Sequence, residues 1–222
     1  MKKKAKQILA VSTVLLSTIF TNPVMAQDEN DSEFGIKGGI NFSNFYSNEV
    51  DDQNLRIGFN GGMFFKAALT ENFALQPEVL YTTKGATTKY ENFFTGEAEF
   101  SQNLNYLEVP LLAVINLGDN FNIHAGPYVA YLLKADVENQ SSNDDFDFVE
   151  SMNEADYERL DYGLALGLGF EFDVIRFGAR YDYGLRKVGK DQDFETSTSS
   201  FNSSSLSDLK NSTASLYIGL SF

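Results

Sequence analysis

The chain contains no cysteine, no tryptophan, a single histidine and four prolines. Without cysteine there is no disulfide framework, no thiolate metal site and no lipid-modified cysteine. Long hydrophobic runs are also missing. The longest apolar stretch, Ile8 to Phe20, is interrupted by Ser and Thr and falls short of the roughly 20 apolar residues a spanning helix needs. Positive charge is scarce: 17 Lys and Arg stand against 31 Asp and Glu, a formal charge of −14. That balance disfavours nucleic acid, whose binding depends on Lys and Arg at the phosphates.

The first 26 residues read as an address. Lys2, Lys3, Lys4 and Lys6 precede the short apolar stretch, and "VMA" offers a small-x-small cleavage site after Ala26. The expected organisation is a cleaved signal peptide over 1–26 and one β domain over 27–222. Cleavage removes four of the 17 cationic residues and none of the 31 acidic ones, taking the formal charge to about −18.

After Gln27 the dominant signal is alternation with a period of two. "FGIKGGINFSNF" sets Phe34, Ile36, Ile40 and Phe42 against Gly35, Lys37, Gly39, Asn41 and Ser43. "LRIGFNGGMFFKAAL" sets Ile57, Phe59, Met63, Phe65 and Ala67 against Arg56, Asn60 and Lys66. "FALQPEVLYTTKGA" opposes Phe73, Leu75, Val79 and Tyr81 to Gln76 and Glu78, and "NLNYLEVPLLAVINL" opposes Leu107, Val109, Leu111, Ala113 and Ile115 to Glu108. "FNIHAGPYVAYLLKA" sets Phe121, Ile123, Val129, Tyr131 and Leu133 against Asn122, His124 and Lys134. "LDYGLALGLGFEF" alternates Tyr162, Leu164, Leu166, Leu168, Phe170 and Phe172 with Asp161, glycines, Ala165 and Glu171. "IRFGARYDYGLR" sets Ile175, Phe177, Ala179, Tyr181 and Tyr183 against Arg176, Arg180 and Asp182. The last strand sets Ala214, Leu216, Ile218, Leu220 and Phe222 against Tyr217 and small residues.

Eight strands result, joined alternately by long polar linkers (46–54, 87–102, 136–159, 187–211) and tight turns (70–72, 118–120, 173–174). Strands of this length, alternating apolar and polar, with loops of two lengths, predict an all-β fold: a closed antiparallel transmembrane β-barrel with short periplasmic turns and long extracellular loops. Ten strands remain open if 87–102 or 187–211 conceals a hairpin. The competing fold is a soluble barrel of the lipocalin type, with apolar faces inward. Against it, the polar faces are rich in Gly, which suits a crowded interior better than a solvated surface. Aromatics also divide into two outward groups. Phe34, Phe73, Phe121, Phe172, Phe177 and Phe222 lie at the turn end; Phe42, Phe59, Tyr81, Tyr131, Tyr162, Tyr181 and Tyr183 lie toward the other, as two membrane interfaces favour. The strand that ends at Phe222 can pair with the first, which removes both sheet edges.

"GIKGGINFSNF", "LQPEVLYTTKGA", "YLEVPLLAVINL", "GPYVAYLL" and "RYDYGL" resemble an outer-membrane β-barrel family of Bacteroidetes that includes PorT-like proteins and often carries the label "porin family". The likeness spans essentially the whole chain after the leader. It implies an outer-membrane location in a Gram-negative envelope and, for most members, no catalytic residue. The terminal aromatic resembles the signal read by the barrel-assembly machinery.

The inward positions collect both signs of charge: Lys37, Arg56, Lys66, Arg176 and Arg180 opposite Glu78, Glu108, Glu171 and Asp182, with His124 among them. Eight strands leave an interior just wide enough for side chains, so a plug of mutually paired charges is the expectation and a narrow pore its alternative. Lipid A hydrolases on eight-stranded barrels use Ser, His and an acid. His124, however, falls near the periplasmic end without a serine motif, and an interior histidine bonded to Glu108 or Glu78 is expected. The acidic linker 136–159, centred on "NDDFDF", offers hard oxygen ligands for divalent ions that would bridge to lipopolysaccharide phosphates, but lacks the spacing of a Ca²⁺ loop. "ETSTSSFNSSSLSD" reads as an external low-complexity loop.

The functional expectation is a non-enzymatic barrel with a structural or interaction role and no cofactor or metal. Its partners are outer-membrane lipid and lipopolysaccharide, the assembly machinery during insertion and envelope proteins reached through the loops, with no nucleic acid. Passive transport of small solutes and a PorT-like accessory role in secretion are the alternatives.

Overall fold

The computed structural model describes residues 32–46, 55–92, 96–141, 148–151, 158–189 and 209–222. The expected leader, half of the acidic linker and the Ser-rich segment lie outside these residues. Among the described residues there are nine strands: β1 (Glu33–Tyr46), β2 (Arg56–Thr70), β3 (Phe73–Asn92), β4 (Gly96–Asn116), β5 (Phe121–Ser141), β6 (Phe148–Ser151), β7 (Leu160–Phe172), β8 (Ile175–Lys187) and β9 (Lys210–Ser221). Eight of them form a ring. Each pairs antiparallel with its neighbour, β5 pairs with β7, and β9 returns to β1, with Gly35 opposite Ser221 and Tyr46 opposite Lys210. The Phe222 N–H donates to Phe34 O at 2.7 Å and completes the seam. β6 pairs with β5 alone and hangs outside the ring.

The alternation of side chains decides which face is which. Ile57, Leu166 and Ile218 point outward and are 69%, 63% and 61% exposed, whereas Lys37, Glu78, Glu108, Arg180 and Asp182 are buried inside. This is the reverse of a soluble barrel, and the lipocalin-type alternative fails on it. A water-soluble protein would not leave so continuous an apolar surface uncovered. Among the inward glycines, Gly62 shows why side chains are excluded: a Cβ there would lie 2.0 Å from Val79 O.

Three strands are longer than the alternation indicates. β3, β4 and β5 run 20, 21 and 21 residues, or about 70 Å for the longest at roughly 3.3 Å per residue. The stretch expected as linker 87–102 is therefore mostly a continuing hairpin, with Thr88 opposite Phe100 and Asn92 opposite Gly96. The hairpin lengthens existing strands and adds none to the ring. The linker 136–159 likewise contains the end of β5 and all of β6. Alternation fades in these extensions: Thr82, Thr83, Lys84, Ala86 and Thr87 of β3 are buried in both phases.

One inward assignment is wrong. Lys134 points outward, its side chain 58% exposed. Asn105 pairs with Lys134 but Tyr106 with Leu132, so β5 carries one extra residue at this step. Such a bulge reverses the facing of the residues beyond it.

A candidate lumen network

The inward charged side chains form three tiers along the barrel. Nearest the tight turns, Glu171 on β7 accepts from Lys66 Nζ at 2.8 Å and forms an ion pair with Arg176 Nη1 at 3.0 Å. Asn122 Nδ2 donates to the same carboxylate at 2.8 Å. Arg176 also pairs with Glu33 at the start of β1.

The middle tier centres on Glu78 of β3, 1% exposed. Arg180 grips it with two parallel bonds of 2.8 Å, Lys37 Nζ approaches to 2.8 Å, and Gln76 Nε2 donates at 2.7 Å. The fork-on-carboxylate geometry is the strongest such contact available to a planar guanidinium. Strands β1, β3 and β8 are thus tied across the lumen. Tyr217 lies beside this tier, with Lys37 Nζ 4.3 Å from its ring centre.

The third tier, toward the long connections, centres on Lys84, which the sequence reading omits. Its Nζ lies 2.7 Å from Glu108 and 3.6 Å from Asp161, and 4.3 Å from the Tyr128 ring centre. Asn211 Nδ2 donates to Asp161 at 3.0 Å. Above it, Arg56 bonds to Asn103. Between the second and third tiers Asn41 Nδ2 donates to Thr82 Oγ1 at 2.9 Å, and Asn60 Nδ2 donates to Asn41 Oδ1 at 2.6 Å.

His124 does not reach Glu78 or Glu108. Its Nδ1 lies 3.2 Å from Asn122 Oδ1 and its ring stands 6.3 Å from that of Tyr217. Gly167 makes room for it, since a Cβ there would sit 2.4 Å from His124 Nε2. Asp182 is buried in the wall of a cavity of about 10 Å³ shared with Glu108, Arg180 and Tyr217. A second cavity, of about 20 Å³, lies among Lys37, Phe64, His124, Arg176 and Tyr217. Each has room for about one water molecule. At the turn end a polar basin of about 380 Å³ opens between Glu71, Asn116, Asp119 and Glu171. Among the described residues, no group of His, Asp and Glu is arranged to hold a metal ion.

The lumen thus brings together Lys37, Arg180 and Glu78; Lys66, Arg176 and Glu171; and Glu108 with Lys84. Arg56 and Asp182 stand apart from these pairs, Arg56 toward the long connections. Sequence reasoning missed Lys84, the role of Asp161, and an apolar wall of Leu104, Tyr106, Leu112, Val114, Tyr128 and Leu132 on β4 and β5. The signal for Lys84 was its even-numbered phase with Glu78 on β3. That for the wall was the apolar character of β4 in both phases.

Solved structures similar to the chain at low identity include three outer-membrane or surface proteins. Ail, the attachment invasion locus protein of Yersinia pestis, is 18% identical with a TM-score of 0.45, over 86% of this chain and 99% of that one. Neisserial surface protein A is 14% identical with a TM-score of 0.48, over 86% and 99%. The outer membrane protein OprG from Pseudomonas aeruginosa is 13% identical with a TM-score of 0.36, over 88% and 98%. No curated protein matches the sequence. The profile of the outer membrane protein beta-barrel domain matches residues 25–190, most of the chain. With its closed ring, outward apolar face and charged interior, the chain belongs to the outer membrane protein beta-barrel domain family.

Proposed function

We propose that this protein is a non-conducting, non-enzymatic barrel of the outer membrane, its lumen closed by paired charge and its function carried by surfaces at the loop end. The observation that carries the reading is the middle tier: three strands are joined across the lumen by Lys37, Arg180 and the fully enclosed Glu78. Among the described residues, the inward cations Lys37, Lys66, Lys84, Arg176 and Arg180 meet the inward carboxylates Glu33, Glu78, Glu108, Asp161 and Glu171 in ion pairs. An interior that balances its own charge needs no permeating ion to neutralise it. The short turns and both barrel ends of the chain face the periplasm in this reading, as is general for such barrels.

Planar-bilayer recording tests this. Refolded protein is expected to insert without steady, discrete current, whereas regular openings would replace the plug with narrow passive transport. The polar basin at the turn end and the two water-sized cavities are what that second reading draws on. Kinship with the PorT-like proteins of Bacteroidetes rests on the strand motifs. It predicts stable co-purification with other envelope components, and a protein that elutes alone from native membranes removes the secretion role.

A further inference from the structure

The His124 ring is held by a chain of groups whose direction is fixed at its far end. Glu171, clasped between Lys66 and Arg176, is a carboxylate that only accepts. The Asn122 amide therefore turns its Nδ2 to Glu171 Oε1, at 2.8 Å, and its Oδ1 to His124 Nδ1, at 3.2 Å. An amide oxygen has no proton to give, so the proton of the second contact belongs to Nδ1. A further ring proton would put a third cation beside Lys37 and Arg176, which border the same cavity. Nε2 is left as a bare lone pair.

No protein group serves that lone pair. His124 is buried, and its Nε2 has no hydrogen-bond partner. Gly167 stands directly opposite on β7 and Gly169 opposite Asn122, so this stretch of wall offers no side-chain donor. A buried acceptor without a donor is costly. The complementary defect borders the same cavity. Arg176 Nε, which can only donate, is buried without an acceptor. Tyr217 borders it as well, its hydroxyl 3.2 Å from where a Cβ on Gly169 would lie.

This pair of defects selects the occupant. A metal cation would be repelled by Arg176 and Lys37, and a halide by the Nε2 lone pair. Water donates to the one and accepts from the other. The cavity, about 20 Å³, holds one such molecule. Three polar neighbours match the usual environment of a buried water, about three hydrogen bonds. Asn122 and Glu171 border both this cavity and the polar basin at the turn end, which gives it a solvent side.

We propose that this cavity is a specific site for one water molecule, which donates to His124 Nε2 and accepts from Arg176 Nε, with Glu171 and Asn122 as the positioning residues that keep the ring proton on Nδ1. The site does not depend on whether the lumen conducts.

His124 is the single histidine of the chain, so labelling histidine with ¹⁵N reports on one ring. Solid-state NMR of the full barrel in phosphatidylcholine vesicles near neutral pH is expected to find the proton on Nδ1, none on Nε2, and magnetisation transfer to Nε2 from a water. A proton on Nε2, protons on both nitrogens, or a bare Nε2 without water contact overturns the proposal. The wild-type spectrum decides these points, so they do not depend on a variant folding. Asn122→Leu removes the acceptor at Nδ1 and is expected to shift most rings to the Nε2–H form that free histidine favours. Rings that keep the proton on Nδ1 in that variant would overturn the positioning role. Replacing chloride by gluconate is expected to leave the wild-type ring signals unchanged. A shift would overturn the water site in favour of a bound halide.

Discussion

Glu78 shows how a buried charge shapes a barrel that has almost no interior volume to spare. Two cations share one carboxylate, so removing the carboxylate strands both. Glu78→Ala is expected to destabilise the protein by about 3–5 kcal/mol, as for other broken buried pairs, measured by denaturant unfolding in lipid vesicles. The triple replacement Lys37→Met, Glu78→Leu, Arg180→Met removes the three charges of this tier together and is expected to be less destabilising than Glu78→Ala alone. If the triple variant is as unstable as the single one, the tier acts through shape and not through charge. At Gly167 the question is space. Gly167→Ala forces the His124 ring to move, at an expected cost of about 1–3 kcal/mol. Part of that cost should vanish in a His124→Ala background, which a double-mutant cycle measures, and the rest should stay because the added Cβ would also lie 2.6 Å from Ala179 O. Such details were only partly legible. Strand phase placed Glu78, Lys37 and Arg180 on one side of their strands, but the side chain a histidine bonds depends on which residues lie across the lumen. That is a matter of strand stagger, which no single strand encodes.

At the scale of the strand, the ordinary meaning of inside and outside is reversed on part of the surface and kept on the rest. Leu166 on β7 faces outward in mid-strand, so Leu166→Arg is expected to cost about 2–4 kcal/mol, as a charge on the lipid face does near the midplane. Leu112 on β4 is fully buried in the apolar wall, and Leu112→Ala is expected to cost about 2–5 kcal/mol by leaving a cavity. Both are read from the unfolding midpoint in vesicles. If only the second matters, the outward face is not in lipid. Alternation made the eight strands legible because lipid on one side and a polar lumen on the other impose a strict period of two. Where lipid stops, that constraint stops, and the sequence of the upper parts of β3, β4 and β5 reads as loop. Lys134 was misplaced for a related reason: one inserted residue leaves the local pattern intact while turning the rest of the strand to the other face.

For the whole molecule, the long hairpins and the ring are separable. Replacing residues 88–101 by a short turn removes no residue of the lumen tiers. Barrel formation, read as heat-dependent gel mobility, is expected to survive with stability changed by less than about 1 kcal/mol. Loss of the folded band would mean that the β3–β4 hairpin nucleates the ring. The order of pairing has its own consequence. Seven of the eight contacts in the ring join strands that are consecutive around it, and the chain visits them in turn. The eighth joins β1 to β9, so Gly35 meets Ser221 only after everything between them has been made. That seam carries the largest loop-closure entropy in the molecule, and contacts of such separation form slowly. Until it closes, β1 and β9 are both open edges, each able to pair with another chain. The time between synthesis of the first strand and the last is therefore the interval in which the protein is most exposed to aggregation. Slowing the closing of that one seam is therefore expected to lower the folded yield.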